Sequence, residues 1–113
     1  MATGSCHCGR VRFEVPGEPG PVLECNCSHC QRKGFLLWFV PREQLNVTQG
    51  EATLTTYLFN QHVIQHRFCP HCGVQPFGLG THPESGQPMA AINVRCLDDL
   101  ELGTFQRSPV DGR

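Results

Sequence analysis

Apolar and polar residues alternate along Val11-Arg12-Phe13-Glu14-Val15, the period of a strand with one buried face. Phe35 to Val40 (FLLWFV) is an unbroken apolar run, which suits a strand buried on both faces. Thr53 to Phe59 (TLTTYLF) is rich in β-branched and aromatic residues, and so is Val63-Ile64-Gln65-His66-Arg67-Phe68. Asn60-Gln61-His62 between them fits a hairpin turn, and Met89 to Val94 (MAAINV) is a further strand candidate. Two short helical turns are expected. One starts at Pro41 and runs through Arg42-Glu43-Gln44-Leu45; the other lies near Cys30 to Gly34. His82 to Pro88 reads as an exposed turn or loop. No segment has the periodicity of an amphipathic helix of three turns. The pattern predicts a mainly β domain of about seven or eight strands, with chemistry carried on loops.

The chain has 113 residues, which predicts one domain, 1–113, with a modest core. With 39% hydrophobic and 17% charged residues, it has the composition of a folded chain. The longest apolar run is the six residues Phe35 to Val40, against roughly 20 needed to span a bilayer. Nothing therefore points to a membrane. The formal net charge is −1. Seven thiolates and two zinc ions would take it to −4, since seven negative charges are added against four positive. Arg32-Lys33 alone is no basic patch, so nucleic acid is not an expected partner.

Seven of the eight cysteines change the picture. They form Cys6-x-Cys8, Cys25-x-Cys27-x-x-Cys30 and Cys69-Pro70-His71-Cys72-Gly73. A disulfide framework would suit a secreted chain, but the segment from Met1 to Ser5 has neither a basic region nor an apolar run. Cysteines one residue apart are also poor disulfide partners. Metal binding and a reducing, cytoplasmic setting are the expectation.

On an extended chain Cys6 and Cys8 point to one face and can fill two corners of a tetrahedron. Cys69 and Cys72, with Pro70 setting the turn and Gly73 permitting a left-handed backbone, form a knuckle that supplies two more. That pairing closes one four-cysteine structural zinc site and adds folding free energy to a small core. It leaves Cys25, Cys27 and Cys30 as a three-ligand set with an open fourth position. There a coordinated thiol would be held deprotonated as an oriented nucleophile. Arg32, Lys33 and the N–H groups of a turn over Ser28 to Lys33 could offset the charge and steer an anionic thiol.

Other roles remain open at this level. Cys96 or a histidine could close the central cluster and leave two structural sites. Cys96 otherwise reads as a small buried residue, and Trp38 and the phenylalanines as core. His29 is poorly placed to share a metal with its neighbours. His7 and His71 are expected to face solvent, His62 and His66 to line a surface, and His82 to sit alone in its loop. Glu24 adjoins Cys25 but should face the other way, so no acid/base pair can be named.

Gly4-Ser5-Cys6-His7-Cys8-Gly9-Arg10-Val11-Arg12-Phe13, Cys25-Asn26-Cys27-Ser28-His29-Cys30-Gln31-Arg32-Lys33 and Phe68-Cys69-Pro70-His71-Cys72-Gly73 together resemble the glutathione-dependent formaldehyde-activating enzyme family, which includes centromere protein V. Asn93-Val94-Arg95-Cys96-Leu97 resembles a further family segment, and Asp111-Gly112-Arg113 is a partial match to its ending. The resemblance covers most of the chain. It implies stacked antiparallel sheets of the β-tent type, a structural zinc on Cys6, Cys8, Cys69 and Cys72, and a catalytic-type zinc on Cys25, Cys27 and Cys30. It also implies carbon–sulfur lyase or synthase chemistry joining formaldehyde to glutathione. The bulky segment Phe35-Leu36-Leu37-Trp38 is expected to narrow the space over the open zinc. A non-catalytic zinc-binding structural or interaction module, and a redox or metal-buffering protein, are the competing classes.

Overall fold

The computed structural model describes residues 1–19, 22–25, 27–58, 64–82, 84–98 and 107–110. Ten strands lie within them: β1 (Ala2–Ser5), β2 (Arg12–Val15), β3 (Val22–Cys25), β4 (Leu37–Pro41), β5 (Asn46–Gln49), β6 (Thr55–Tyr57), β7 (Gln65–Phe68), β8 (Phe77–Thr81), β9 (Pro88–Asn93) and β10 (Arg107–Val110). One α-helix, α1 (Ser28–Lys33), follows β3. Short 3₁₀ turns cover Arg42–Gln44, Glu51–Thr53 and Val94–Cys96. No helix among the described residues is long and apolar enough to cross a membrane.

The strands form two sheets, ordered β1-β2-β5 and β10-β3-β4-β9-β8-β7-β6. All pairings are antiparallel except β10 with β3. The mainly β class expected from the alternation is what the chain adopts. Phe13 and Val15 of β2 meet Val40, Phe77, Ala90 and Ile92 of the large sheet in one buried cluster. Phe13 and Phe77 pack edge to face, with ring centroids 6.1 Å apart. Gly4 in β1 lies so close to this core that a Cβ there would come within 2.6 Å of both the Cys96 carbonyl oxygen and the Phe13 ring.

Several elements differ from the pattern. The apolar run Phe35 to Val40 is not buried on both faces. Strand β4 starts at Leu37, Leu36 and Val40 enter the core, and Phe39 on the opposite face is 47% exposed. Only Thr55–Tyr57 of the Thr53 to Phe59 segment is strand, with every residue exposed, because this is the edge of the large sheet. Phe59, Val63 and the Asn60 to His62 turn lie outside the described residues. The helical turn starting at Pro41 is 3₁₀, and the turn near Cys30 is α1, with Cys27 at its N-cap and Gly34 in the left-handed conformation at its end. Strands β1, β5, β8 and β10 had no distinct signal. They are short, and two of them carry the glycines Gly4, Gly78 and Gly80, which weaken any periodicity.

The large sheet has two unlike faces. Trp38, Val40, Phe77, Ala90 and Ile92 point to the core beneath the small sheet. On the other face, pairing places Tyr57, His66, Gly78, Ala91 and Phe39 in one row across β6, β7, β8, β9 and β4. Helix α1 packs on this outer face.

Candidate metal centres

Residues Cys6 to Gly9 and Cys69 to Gly73 make related turns, the first closed across three residues and the second across four. The Cys6 N–H donates to the Val11 carbonyl and the Gly9 N–H to the Cys6 carbonyl; Cys69 with Val74, and Gly73 with Cys69, repeat this. Gly9 and Gly73 both have φ near +80° (81° and 79°), which a side chain would resist. Cys6 and Cys8 therefore converge through a turn and not through the extended strand expected from their spacing. The two knuckles meet, and the Sγ atoms of Cys6, Cys8, Cys69 and Cys72 all lie within 4.8 Å of one another. Cys6 to Cys8 is 3.6 Å and Cys8 to Cys69 is 3.7 Å. Four sulfurs at about 2.3 Å from a tetrahedral zinc would be about 3.8 Å apart, so the set fits that ion.

The electrostatics point the same way. Arg10 holds the Cys8 thiol down to about 6, through its backbone N–H and then its guanidinium. Burial raises Cys72, but N–H groups of Val74 and Cys8 outweigh it and leave the thiol below its ordinary value. Burial leaves Cys69 raised. Cys6 and Cys69 are fully buried, so their thiolates would need a cation to offset their desolvation. Cys96 adjoins this site. Burial, with Cys6 and Cys72 nearby, pushes its thiol up to about 12, and its Sγ lies 3.9 Å from the Gln75 carbonyl. It is only half-buried and joins neither group of sulfurs.

Cys25 ends β3, Cys27 caps α1 and Cys30 lies one turn into the helix. Their three Sγ atoms also fall within 4.8 Å of one another, and no fourth His, Cys, Asp or Glu among the described residues joins them. The Cys30 N–H donates to Cys27 Sγ at 3.3 Å. Burial pushes the Cys27 thiol up, yet the N–H groups of Cys30 and His29 outweigh it and the thiol ends below its ordinary value. Cys30 is raised, by burial first and then by Cys27. Phe35, Leu37 and Ala91 form the apolar bed of this cluster. The bulky segment thus divides: Phe35 and Leu37 floor the sulfurs, while Leu36 and Trp38 turn to the core.

The ring of His29 leaves α1 toward the sheet. It stacks on Tyr57 at 5.6 Å and 24°, lies 5.7 Å from Phe35, and contacts His66 with centroids 4.1 Å apart. Lys33 Nζ sits 5.9 Å from the centre of the Phe35 ring and 5.8 Å from that of Phe68. Arg32 instead donates to the Ser28 carbonyl at the start of its own helix. Arg95 Nε donates to the Gly34 carbonyl at 3.0 Å and ties the end of α1 to the turn after β9.

His66 is a correction to the sequence reading. It was expected at the surface but is only 6% exposed. Burial, then His29 and Lys33, push it down to about 4, and it stands neutral at pH 7. Ile64, just before β7, and Phe68, at its end, flank His66 at the strand period, and that apolar flanking was the available signal. Gln75 was not singled out at all; its only signal is a polar residue inside Val74-Gln75-Pro76-Phe77. His7, His71, His82 and Glu24 are exposed, and His62 lies outside the described residues.

Two comparisons place this arrangement among known proteins. A solved structure of a Rhodobacter sphaeroides protein superposes with a TM-score of 0.78 at 27% identity, over 94% of this chain and 99% of that one. The family model described as glutathione-dependent formaldehyde-activating enzyme matches residues 1–109. With its two knuckles, its cysteine triad and its paired sheets, the chain belongs to the glutathione-dependent formaldehyde-activating enzyme family.

Proposed function

We propose that residues 1–113 act as one zinc-binding domain with carbon–sulfur lyase or synthase activity, making or breaking a thiol–aldehyde adduct such as that of glutathione and formaldehyde. The observation that carries this reading is the inequality of the two sulfur groups. One has four members and is partly sealed inside the fold; the other has three and lies on the outer face beside imidazole and aromatic rings. Cys6, Cys8, Cys69 and Cys72 would hold a structural zinc, and Cys25, Cys27 and Cys30 a catalytic-type zinc. When bound to the three cysteines, zinc supplies Lewis acidity that favours the deprotonated form of a thiol in the remaining position.

The net step is balanced without an oxidant. A bond forms between the thiol sulfur and the carbonyl carbon, the carbonyl π pair moves to oxygen, and the proton lost by sulfur ends on that oxygen. The residues of the chain bind and orient the reactants. Phe35, Leu37 and Ala91 exclude water beneath the sulfurs. Lys33, over the outer face, would attract an anionic thiol such as glutathione. His29, His66 and Tyr57 form a wall against which the aldehyde end would sit.

The test is zinc content together with X-ray absorption at the zinc edge, on protein purified without added zinc, with and without glutathione. Two zinc ions per chain are expected, with the average sulfur coordination rising when glutathione is added. Two ions already saturated by protein ligands and unchanged by glutathione would make the chain a non-catalytic zinc-binding module.

A further inference from the structure

The row of residues across the outer face has a gap at β8, and Gln75 fills it. Gly78 pairs with His66 on one side and Ala91 on the other. It carries no side chain, and a Cβ there would stand 3.6 Å from Gln75 Nε2, so the carboxamide lies on the glycine. Gln75 comes from the stretch between the second knuckle and β8. Its carbonyl accepts from Asn93 Nδ2 at 2.9 Å, which fixes the backbone from which the side chain reaches out. Ala91, the other neighbour of Gly78, packs against the Cys25, Cys27 and Cys30 group. The amide therefore lies over the strand next to the one that floors the open sulfur site.

The amide is also under-used. Gln75 is 6% exposed. Its Nε2 lies 3.4 Å from His66 Nδ1 and engages that nitrogen. Its Oε1 is buried and has no donor among the described residues. A buried amide oxygen without a donor is destabilising, and a ligand hydroxyl would relieve that cost. A methionine of the same length would remove that oxygen, but it would also remove the Nε2 contact to His66.

The position suits one chemical group. A thiol–aldehyde adduct carries its hydroxyl one carbon away from sulfur, whereas the free thiol has no hydroxyl there. We propose that Gln75 Oε1 accepts the hydroxyl of the adduct and so distinguishes adduct from free thiol, with Nε2 anchored on His66. Gly78 is part of the same device, since its bare backbone is the surface on which the amide rests. The assignment rests on the thiol–aldehyde reading of the site. It adds the residue that recognises oxygen to the residues that recognise sulfur.

The experiment uses the zinc-loaded full chain. Breakdown of the glutathione–formaldehyde adduct is followed in the wild type, in Gln75→Met, which removes both polar atoms, and in Gln75→Glu, which keeps an acceptor. Zinc content and thermal unfolding of each protein are recorded alongside. S-ethylglutathione, with a methyl group where the adduct has its hydroxyl, serves as the competing ligand. Gln75→Met should lose about ten- to a hundredfold in kcat/KM while binding S-ethylglutathione as the wild type does. Gln75→Glu should recover part of the loss. In the wild type the adduct should bind at least about tenfold more tightly than S-ethylglutathione, and this measurement stands even if Gln75→Met fails to fold. Equal affinity for the two ligands, or a kcat/KM unchanged in Gln75→Met, overturns the assignment alone. A wild-type chain that turns over no thiol–aldehyde pair overturns the thiol–aldehyde reading and this assignment with it.

Discussion

The imidazole of His29 rests against that of His66, centroids 4.1 Å apart, although one ring is carried by α1 and the other by β7. The sheet order puts three strands between β3, which leads into α1, and β7. This contact joins those of His29 with Tyr57 and Lys33 with Phe68 in bringing helix and far strands together over the outer face. Both rings are pushed toward the neutral form, His29 by burial and then Lys33, His66 by burial, His29 and Lys33.

The neutral His66 has a consequence for stability in acid. Its folded value of about 4 lies below the ordinary 6.5, so the unfolded chain takes up the proton first. Its contribution is whole above pH 6.5 and is lost as pH falls toward 4. The groups that face it are His29 and Lys33 on α1, Tyr57 on β6 and the uncharged Gln75. The unfolding free energy of the zinc-loaded wild type should fall about 1–3 kcal/mol further than that of His66→Gln between pH 7 and 5. Parallel pH profiles would count against a buried neutral imidazole.

The two sulfur groups should separate in mutation. Cys69→Ser breaks the junction of both knuckles and should cost more than about 3 kcal/mol, or prevent folding altogether. Cys27→Ser removes a ligand from the outer face. It should lose one zinc ion and the activity but keep a cooperative unfolding transition. Zinc stoichiometry and thermal unfolding of the two variants decide this.

Metal exchange should follow the same division. Cys6 and Cys69 are buried, while Cys25 and Cys27 are only half-buried and their group has three members. A colorimetric chelator should withdraw one zinc ion quickly, with activity lost in step, and the second only as the fold unfolds. Release of both ions in a single phase would mean that the sites are equally accessible.

Cys96 belongs to neither group, so Cys96→Ala should leave two zinc ions per chain and change stability by less than about 2 kcal/mol. Elemental analysis that returned one ion would give this cysteine a ligand role.

Gly4→Ala tests the closest approach in the fold. The added methyl would meet the Cys96 carbonyl and the Phe13 ring at 2.6 Å, and the carbonyl is backbone that cannot rotate away. A loss of about 1–3 kcal/mol in denaturant unfolding is expected. A neutral result would show that β1 can shift outward at little cost.

The cysteine spacings by themselves singled out the cysteines that gather into two sulfur groups, because half-sites within a few residues are fixed by local turns such as those ending at Gly9 and Gly73. They also fixed the division into two plus two and three, since the four-ligand rule acts on counts. Strand character was legible in Val11 to Val15 and Met89 to Val94, where side chains alternate against a buried face. Tertiary structure alone decided the rest. It set which face of the large sheet bears α1, buried His66, exposed Phe39, laid Gln75 on Gly78, and left Cys96 beside the four-cysteine group without joining it. Those outcomes depend on which strands pair and how the sheet bends. A residue's own neighbours in the chain carry no record of a partner that arrives from three strands away.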